Sequence, residues 1–164
     1  MDEVTEPRWL DAREMRVWKG MLAAGALVDR EVEQHLRREG LSHPQYEVLT
    51  RLSAAPEGRL RMTELAEASF TTKSGLTYQI TQLVKAGLVR RESCPTDVRG
   101  VVAVLTAAGR RRLEQVAPGH VDTVRRVLID VLTPAQQDAM ADGLEDVVRR
   151  LTTRTEPAEP SQEC

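Results

Sequence analysis

The apolar period of the chain changes at Gly87, and that change limits the fold more than any other feature. Before it, Leu76, Ile80, Leu83 and Val84 recur at three and four residues, the spacing of one helix face, over a helix expected from about 73 to 86. After it, residues 88–94 read as a strand, Pro95, Thr96, Asp97, Val98, Arg99 and Gly100 carry turn chemistry, and the β-branched run 101–105 reads as a second strand. Upstream, Thr63 is placed to cap a short helix with Leu65 and Ala66 inward, ending near Ser69, and residues 70–72 form the turn. Two helices joined by a tight turn and followed by a hairpin make a winged helix-turn-helix, in which the helix from Lys73 is the one placed to enter a groove.

Long amphipathic patterns flank this unit. The first runs from about 10 to 39, with Met15, Trp18, Leu22, Val28, Val32 and Leu36 on one stripe and Gly40 as its stop. A helix of about 29 residues is roughly 43 Å long, more than a small domain can cover. Ser42 and Gln45 form a capping box for a second helix with Tyr46, Val48, Leu49 and Leu52 on its apolar face. Thr106 caps a fifth helix that Pro118 and Gly119 are expected to kink before it continues to about Val131. Thr133, Pro134 and Gln136 open a sixth, through Met140, Leu144, Val147, Val148 and Leu151. The expected fold is mainly α: a winged helix-turn-helix lobe with a two-strand wing (41–106) and a helical dimerisation lobe built from the N- and C-terminal helices (9–40 and 107–153). Residues 1–8 and the Pro-containing polar tail 154–164 are expected to be unstructured.

Composition agrees. Only 3% of residues are aromatic against 41% hydrophobic, which favours helices packed on helices over a β-sandwich. The net charge of −2 is unevenly spread: residues 59–112 hold ten Lys and Arg against four acids (+6), leaving 13 basic and 21 acidic residues elsewhere (−8). Positive charge concentrated in the winged segment is what a phosphate-binding lobe requires. No apolar stretch is long enough for a membrane span and the N-terminus is acidic, which together point to the cytoplasm. Neither a Gly-rich phosphate loop nor a Gly-x-Ser-x-Gly turn is present, so an enzyme is not expected.

The polar face of the 73–86 helix carries the strongest functional signal. Ser74, Thr77, Gln79 and Gln82 can donate to and accept from base edges or phosphates, Tyr78 adds a flat apolar face with a phenol, and Lys73 neutralises phosphate. A solvated helix face has the same composition; position in the motif distinguishes the two. Arg99, at the tip of the expected six-residue turn, is placed to reach a minor groove, and Asp97 either holds a neighbouring Arg or simply forms the turn. Arg90 and Arg91 point to opposite faces of their strand, so at most one reaches DNA on the wing's outer side. The full expected DNA-contact set is Arg61, Thr71, Thr72, Lys73, Ser74, Thr77, Tyr78, Gln79, Gln82, Asp97 and Arg99. The competing reading is a winged helix used as a protein–protein module, which has no need of the +6 segment.

These residues also resemble a known family. Leu65-Ala66, then Thr72, Ser74 and Thr77 at the start of the recognition helix, Gly87-Leu88-Val89 with Arg91, Asp97-x-Arg99, and Leu105-Thr106 with Gly109 are similar to the MarR family of bacterial regulators. The resemblance implies a triangular homodimer joined through the first, fifth and sixth helices, binding a palindromic operator in double-stranded DNA. It further implies a repressor that releases DNA when a small, often aromatic or anionic, effector enters a crevice between the dimer helices and the winged lobe. One position departs: Tyr78 stands where the family commonly has Arg.

For an effector crevice the candidates are Trp18, Met21, Leu22, Tyr46 and Leu76, residues that ordinary core packing would equally employ. His35, His43 and His120 lie on three separate helices with no metal-ligand spacing, so neither a metal site nor another cofactor is expected. Two cysteines are too few for a disulfide framework, and reduced thiols are expected; Cys94 reads as a small half-buried hydrophobe or, less simply, a reactive thiol.

Overall fold

The computed structural model describes residues 7–69, 71–94 and 97–153, so most of the two terminal segments expected to be unstructured, 1–6 and 154–164, lies outside the described residues. The elements are α1 (Ala12–Arg38), α2 (His43–Ala54), β1 (Arg59–Arg61), α3 (Met62–Ala68), α4 (Lys73–Lys85), β2 (Val89–Cys94), β3 (Asp97–Leu105), α5 (Ala107–Val127) and α6 (Pro134–Thr152), with 3-10 turns at Pro56–Gly58 and Ile129–Val131.

Local chemistry accounts for the helix ends. Asp11 opens α1 by accepting the Glu14 N–H at 2.8 Å while the Glu14 carboxylate accepts the Asp11 N–H at 2.9 Å. Ser42 and Gln45 do the same for α2, and the Glu33 carboxylate of α1 also accepts the His43 N–H at 2.6 Å. That backbone hydrogen bond, helped by Arg37, holds the Glu33 carboxyl below its ordinary range. At the other end of α4, Gly87 adopts φ +73° and lets the Leu88 N–H reach back to the Leu83 carbonyl at 3.0 Å, so the recognition helix stops and the chain turns into the wing.

Several local expectations change. Thr63 does not cap α3; Arg61 stands at the cap position and the helix starts two residues earlier than a Thr63 cap would place it, because the Glu64 carboxylate reaches back to the Arg61 N–H at 3.1 Å. The wing has a third strand: the sheet order is β1-β3-β2, with Leu60 opposite Ala103. β3 starts at Asp97, so Arg99 lies within a strand and not at the tip of a six-residue turn. The ladder there is irregular, jumping from Ser93↔Val101 to Cys94↔Asp97, so residues 98–100 form a bulge that bends the strand. α5 passes through Pro118 as one helix and ends at Val127, earlier than expected, because the Gln137 amide donates to the Ile129 and Leu132 carbonyls and fixes a separate turn.

The core lies where α2, α3, α4 and the sheet meet the middle of α1 and α5, with Leu36, Leu49, Leu52, Leu65, Ile80 and Ala103 fully buried. Val102 and Val104 alternate with Ala103 and Leu105, and so pack on the opposite sheet face with Cys94. α5 is seated by Thr106 and Gly109. A Cβ on Gly109 would lie 2.1 Å from the Leu88 carbonyl oxygen and 2.7 Å from Leu105 Cδ1.

The three histidines, on three helices, converge at the α1–α2–α5 junction. His43 Nδ1 pairs with Asp29 at 2.7 Å, His120 stacks on Tyr46 with centroids 4.4 Å apart, and His35 packs against Gly119. Burial, then the proximity of His43 and His35, pushes the His120 imidazole below its ordinary value of 6.5. Among the described residues no group of His, Cys, Asp or Glu is arranged to hold a metal ion. No helix of the described residues is long and apolar enough to cross a membrane.

Two outcomes follow from this packing. Gly109→Ala should cost about 2–3 kcal/mol in thermal or denaturant unfolding, because backbone and not a flexible side-chain end must move. Since the unfolded chain binds a proton at His120 more readily than the folded one, the stability from the neutral ring is fully present above 6.5. It is lost as pH falls through that value toward the lower folded pKa. Melting temperature should therefore drop between about pH 7.5 and about pH 5, and His120→Gln should flatten that dependence.

Candidate nucleic-acid interface

α4 has one face committed to the core through Leu76, Ile80 and Leu83 and the opposite face open to solvent. Thr72 starts it by accepting the Gly75 N–H at 3.1 Å, and its hydroxyl lies 3.2 Å from that of Ser74. Lys73, Ser74 and Thr77 are exposed, as is Thr71 just before the helix, and Tyr78 is 62% exposed; Gln79 and Gln82 are half-buried toward the edges of the face. An exposed phenol on an otherwise polar surface is not explained by core packing.

The threonine hydroxyls of this face are partly used by the helix itself. Thr77 Oγ1 donates to the Lys73 carbonyl at 2.8 Å and Thr81 Oγ1 to the Thr77 carbonyl at 2.7 Å. Thr77 therefore presents a methyl group and acceptor lone pairs outward, while its proton stays on the backbone. Arg61 stands at the β1–α3 junction, with a guanidinium nitrogen 3.3 Å from Cys94 Sγ. Cys94 is buried on the sheet face with Val102 and Val104, and the expectation of reduced cysteines also concerns Cys164, which lies outside the described residues. Asp97 and Arg99 belong to β3 by their backbone, and their side chains lie outside the described residues.

The two adjacent wing arginines divide as strand alternation requires. Arg90 turns to Glu92 at 2.7 Å, and the same carboxylate takes Arg59 at 2.9 Å. Arg91 turns to α4, donating to Thr81 Oγ1 at 2.8 Å and to the Thr77 carbonyl at 3.3 Å. Strand period alone separates the two faces, but which face meets the recognition helix depends on the packing of β2. A cavity of about 420 Å³ lies beside this contact, lined by Arg61, Met62, Lys73, Thr77, Arg91 and Val101 among others.

The residues nominated for an effector crevice do not gather in one place within a single chain. Leu76 is fully buried in the winged lobe and Tyr46 is buried against His120. Trp18 and Met21 face an open groove along α1 with Leu10, Arg13 and Val17, and Leu22 is half exposed further along that helix.

Comparison with known proteins places the chain. A family model described as MarR family matches residues 39–100. AbsC, a MarR family transcriptional regulator from Streptomyces coelicolor, superposes with a TM-score of 0.84 at 39% identity, over 90% of this chain and 99% of that one. Sco3205, another MarR family transcriptional regulator from Streptomyces coelicolor, in complex with DNA, gives a TM-score of 0.82 at 42% identity, over 93% and 94% of the two chains. The HTH-type transcriptional repressor YetL of Bacillus subtilis (strain 168) is 29% identical over 143 residues, 87% of this chain and 85% of the relative. Sequence identity and the winged fold thus agree over nearly the full length, and the chain belongs to the MarR family of transcriptional regulators, which are not enzymes.

Proposed function

We propose that this protein is a cytoplasmic repressor that binds a palindromic operator in double-stranded DNA as a homodimer and releases it when a small-molecule effector binds. The observation that carries the DNA-binding part is the open face of α4, where Lys73, Ser74, Thr77 and exposed Tyr78 stand beside the wing within a segment of charge +6. A helix of this kind in the major groove reads base edges, while a wing cation follows the adjacent minor groove. Similarity to Sco3205, a structure in complex with DNA, supports the same use of the surface. The contact set is Thr71, Thr72, Lys73, Ser74, Thr77, Tyr78, Gln79 and Gln82 from the helix-turn-helix, with Arg61, Asp97 and Arg99 from the sheet. Tyr78 directs the choice of operator, since a phenol contacts a thymine methyl or a phosphate where a guanidinium would pair with guanine.

Homodimerisation is supported by apolar surface left without cover in one chain. α6 buries no residue of its own, and Met140, Leu144, Val147 and Val148 stand exposed along it. On α1 the exposed stripe includes Val17, Trp18, Met21 and Leu22. Two helices with open apolar stripes are stable when a second copy covers both, and a two-fold dimer spaces two recognition helices for the halves of a palindrome. The groove at Trp18 and Met21 would then be closed by the partner, forming the effector crevice together with Leu22 and Tyr46; Leu76, from inside the winged lobe, would transmit its occupancy.

Gel-shift titration against the promoter region of its own gene tests the reading: affinity should fall by about a thousandfold or more between 50 and 200 mM salt. Retained affinity across that range would remove DNA binding as the function. Ending the chain at residue 132, before α6, should convert the dimer to a monomer in sedimentation; an intact dimer would move the interface elsewhere.

A further inference from the structure

We infer that Arg91 is a positioning residue that sets the wing against the recognition helix, so that both reach DNA in one fixed relation. The inference rests on the DNA-binding reading above and adds a residue outside the proposed contact set. After Gly87 the wing strand starts in the core at buried Val89, but farther along the wing and the first turns of α4 are separated by the cavity of about 420 Å³. Lys73, Leu76 and Thr77 line it from the helix, Gly100 and Val101 from the wing. The Arg91 guanidinium spans from β2 to the helix, 2.8 Å from Thr81 Oγ1 and 3.3 Å from the Thr77 carbonyl.

The acceptor is prepared for it. Thr81 spends its own proton on the Thr77 carbonyl at 2.7 Å, which leaves its lone pairs to face Arg91. Arg91 has no carboxylate partner among the described residues, whereas Arg90 beside it is neutralised by Glu92. A guanidinium is charged at every accessible pH and presents its donors in a rigid plane, so the bridge holds an angle and not merely a distance. A major-groove helix and a minor-groove wing must match a fixed offset along the duplex, and a bridge that preserves their relation before binding lowers the ordering cost of recognition.

The test compares Arg91→Ala, Arg91→Lys, Thr81→Val, Thr81→Ser and the double Arg91→Ala/Thr81→Val variant, each assayed on operator and on unrelated duplex across a salt series, with thermal melting alongside. Arg91→Ala and Thr81→Val should each weaken operator binding about tenfold while binding to unrelated DNA changes little. The salt slope should match the parent, Thr81→Ser should behave as the parent, Arg91→Lys should not restore affinity, and the double variant should lose no more than the single ones. A slope reduced by about one in Arg91→Ala and restored by Arg91→Lys would make Arg91 a direct phosphate contact and overturn the positioning role. Additive losses in the double variant, or parental binding by Thr81→Val, would overturn it as well. Should Arg91→Ala melt much lower than the parent, the Thr81 pair decides, because neither of its changes removes charge or bulk. A parent chain that fails to bind operator removes the DNA-binding reading itself, whereas a binding parent with unaffected variants removes only the role of Arg91.

Discussion

One hydroxyl, that of Thr106, ties together the three parts on which the rest of the structure depends. It lies 2.8 Å from the Gly87 carbonyl and 3.0 Å from the Leu88 carbonyl while accepting the Gly109 N–H at 3.0 Å, and the Thr106 N–H donates to Leu88 at 3.1 Å. The end of the recognition helix, the root of the wing and the start of α5 therefore meet at one point. Gly109 allows this closeness because it has no Cβ to strike the Leu88 carbonyl. The start of α5 is thereby held to the end of the recognition helix by one short side chain and one backbone hydrogen bond.

That junction has a counterpart at the other side of α5, where His120 and Tyr46 stack and His35 and His43 stand close by. Buried nitrogens His35 Nε2 and His120 Nδ1 have no hydrogen-bond partner there. The ion pairs flanking it, Arg126 with Glu31 at 3.7 Å and Arg112 with Glu39 at 3.6 Å, lie near the surface and contribute modestly. The terminal helices thus meet the winged segment through the shared apolar core and, at its two sides, through the Thr106 hydrogen bonds and the His120–Tyr46 stack.

The helix-turn-helix, the strand that follows it and the basic charge on this segment were legible because each rests on neighbours in sequence: apolar residues at three and four, a glycine stop, a capping threonine. Among the local features that sequence neighbours misplaced are a helix cap and a turn. Thr63 has the composition of a cap, but Glu64 satisfies the Arg61 N–H and takes that role. Arg99 lies among turn-forming residues, yet pairing of Asp97 with Cys94 draws the segment into β3. In both cases a hydrogen bond to a specific partner outweighed composition.

What the sequence determined by itself is the order of the helices, the capped starts of α2, α5 and α6 and the glycine stop of α4, since these follow from periodicity and short-range capping. Only the tertiary structure decided which face of β2 meets that helix, and so that Arg91 and not Arg90 bridges to Thr81. It alone brought three histidines from separate helices to one junction, and added Arg59–Arg61 to the sheet as a third strand. Those outcomes depend on the packing of side chains far apart in the chain, where burial and geometry choose among pairings that local composition leaves equal.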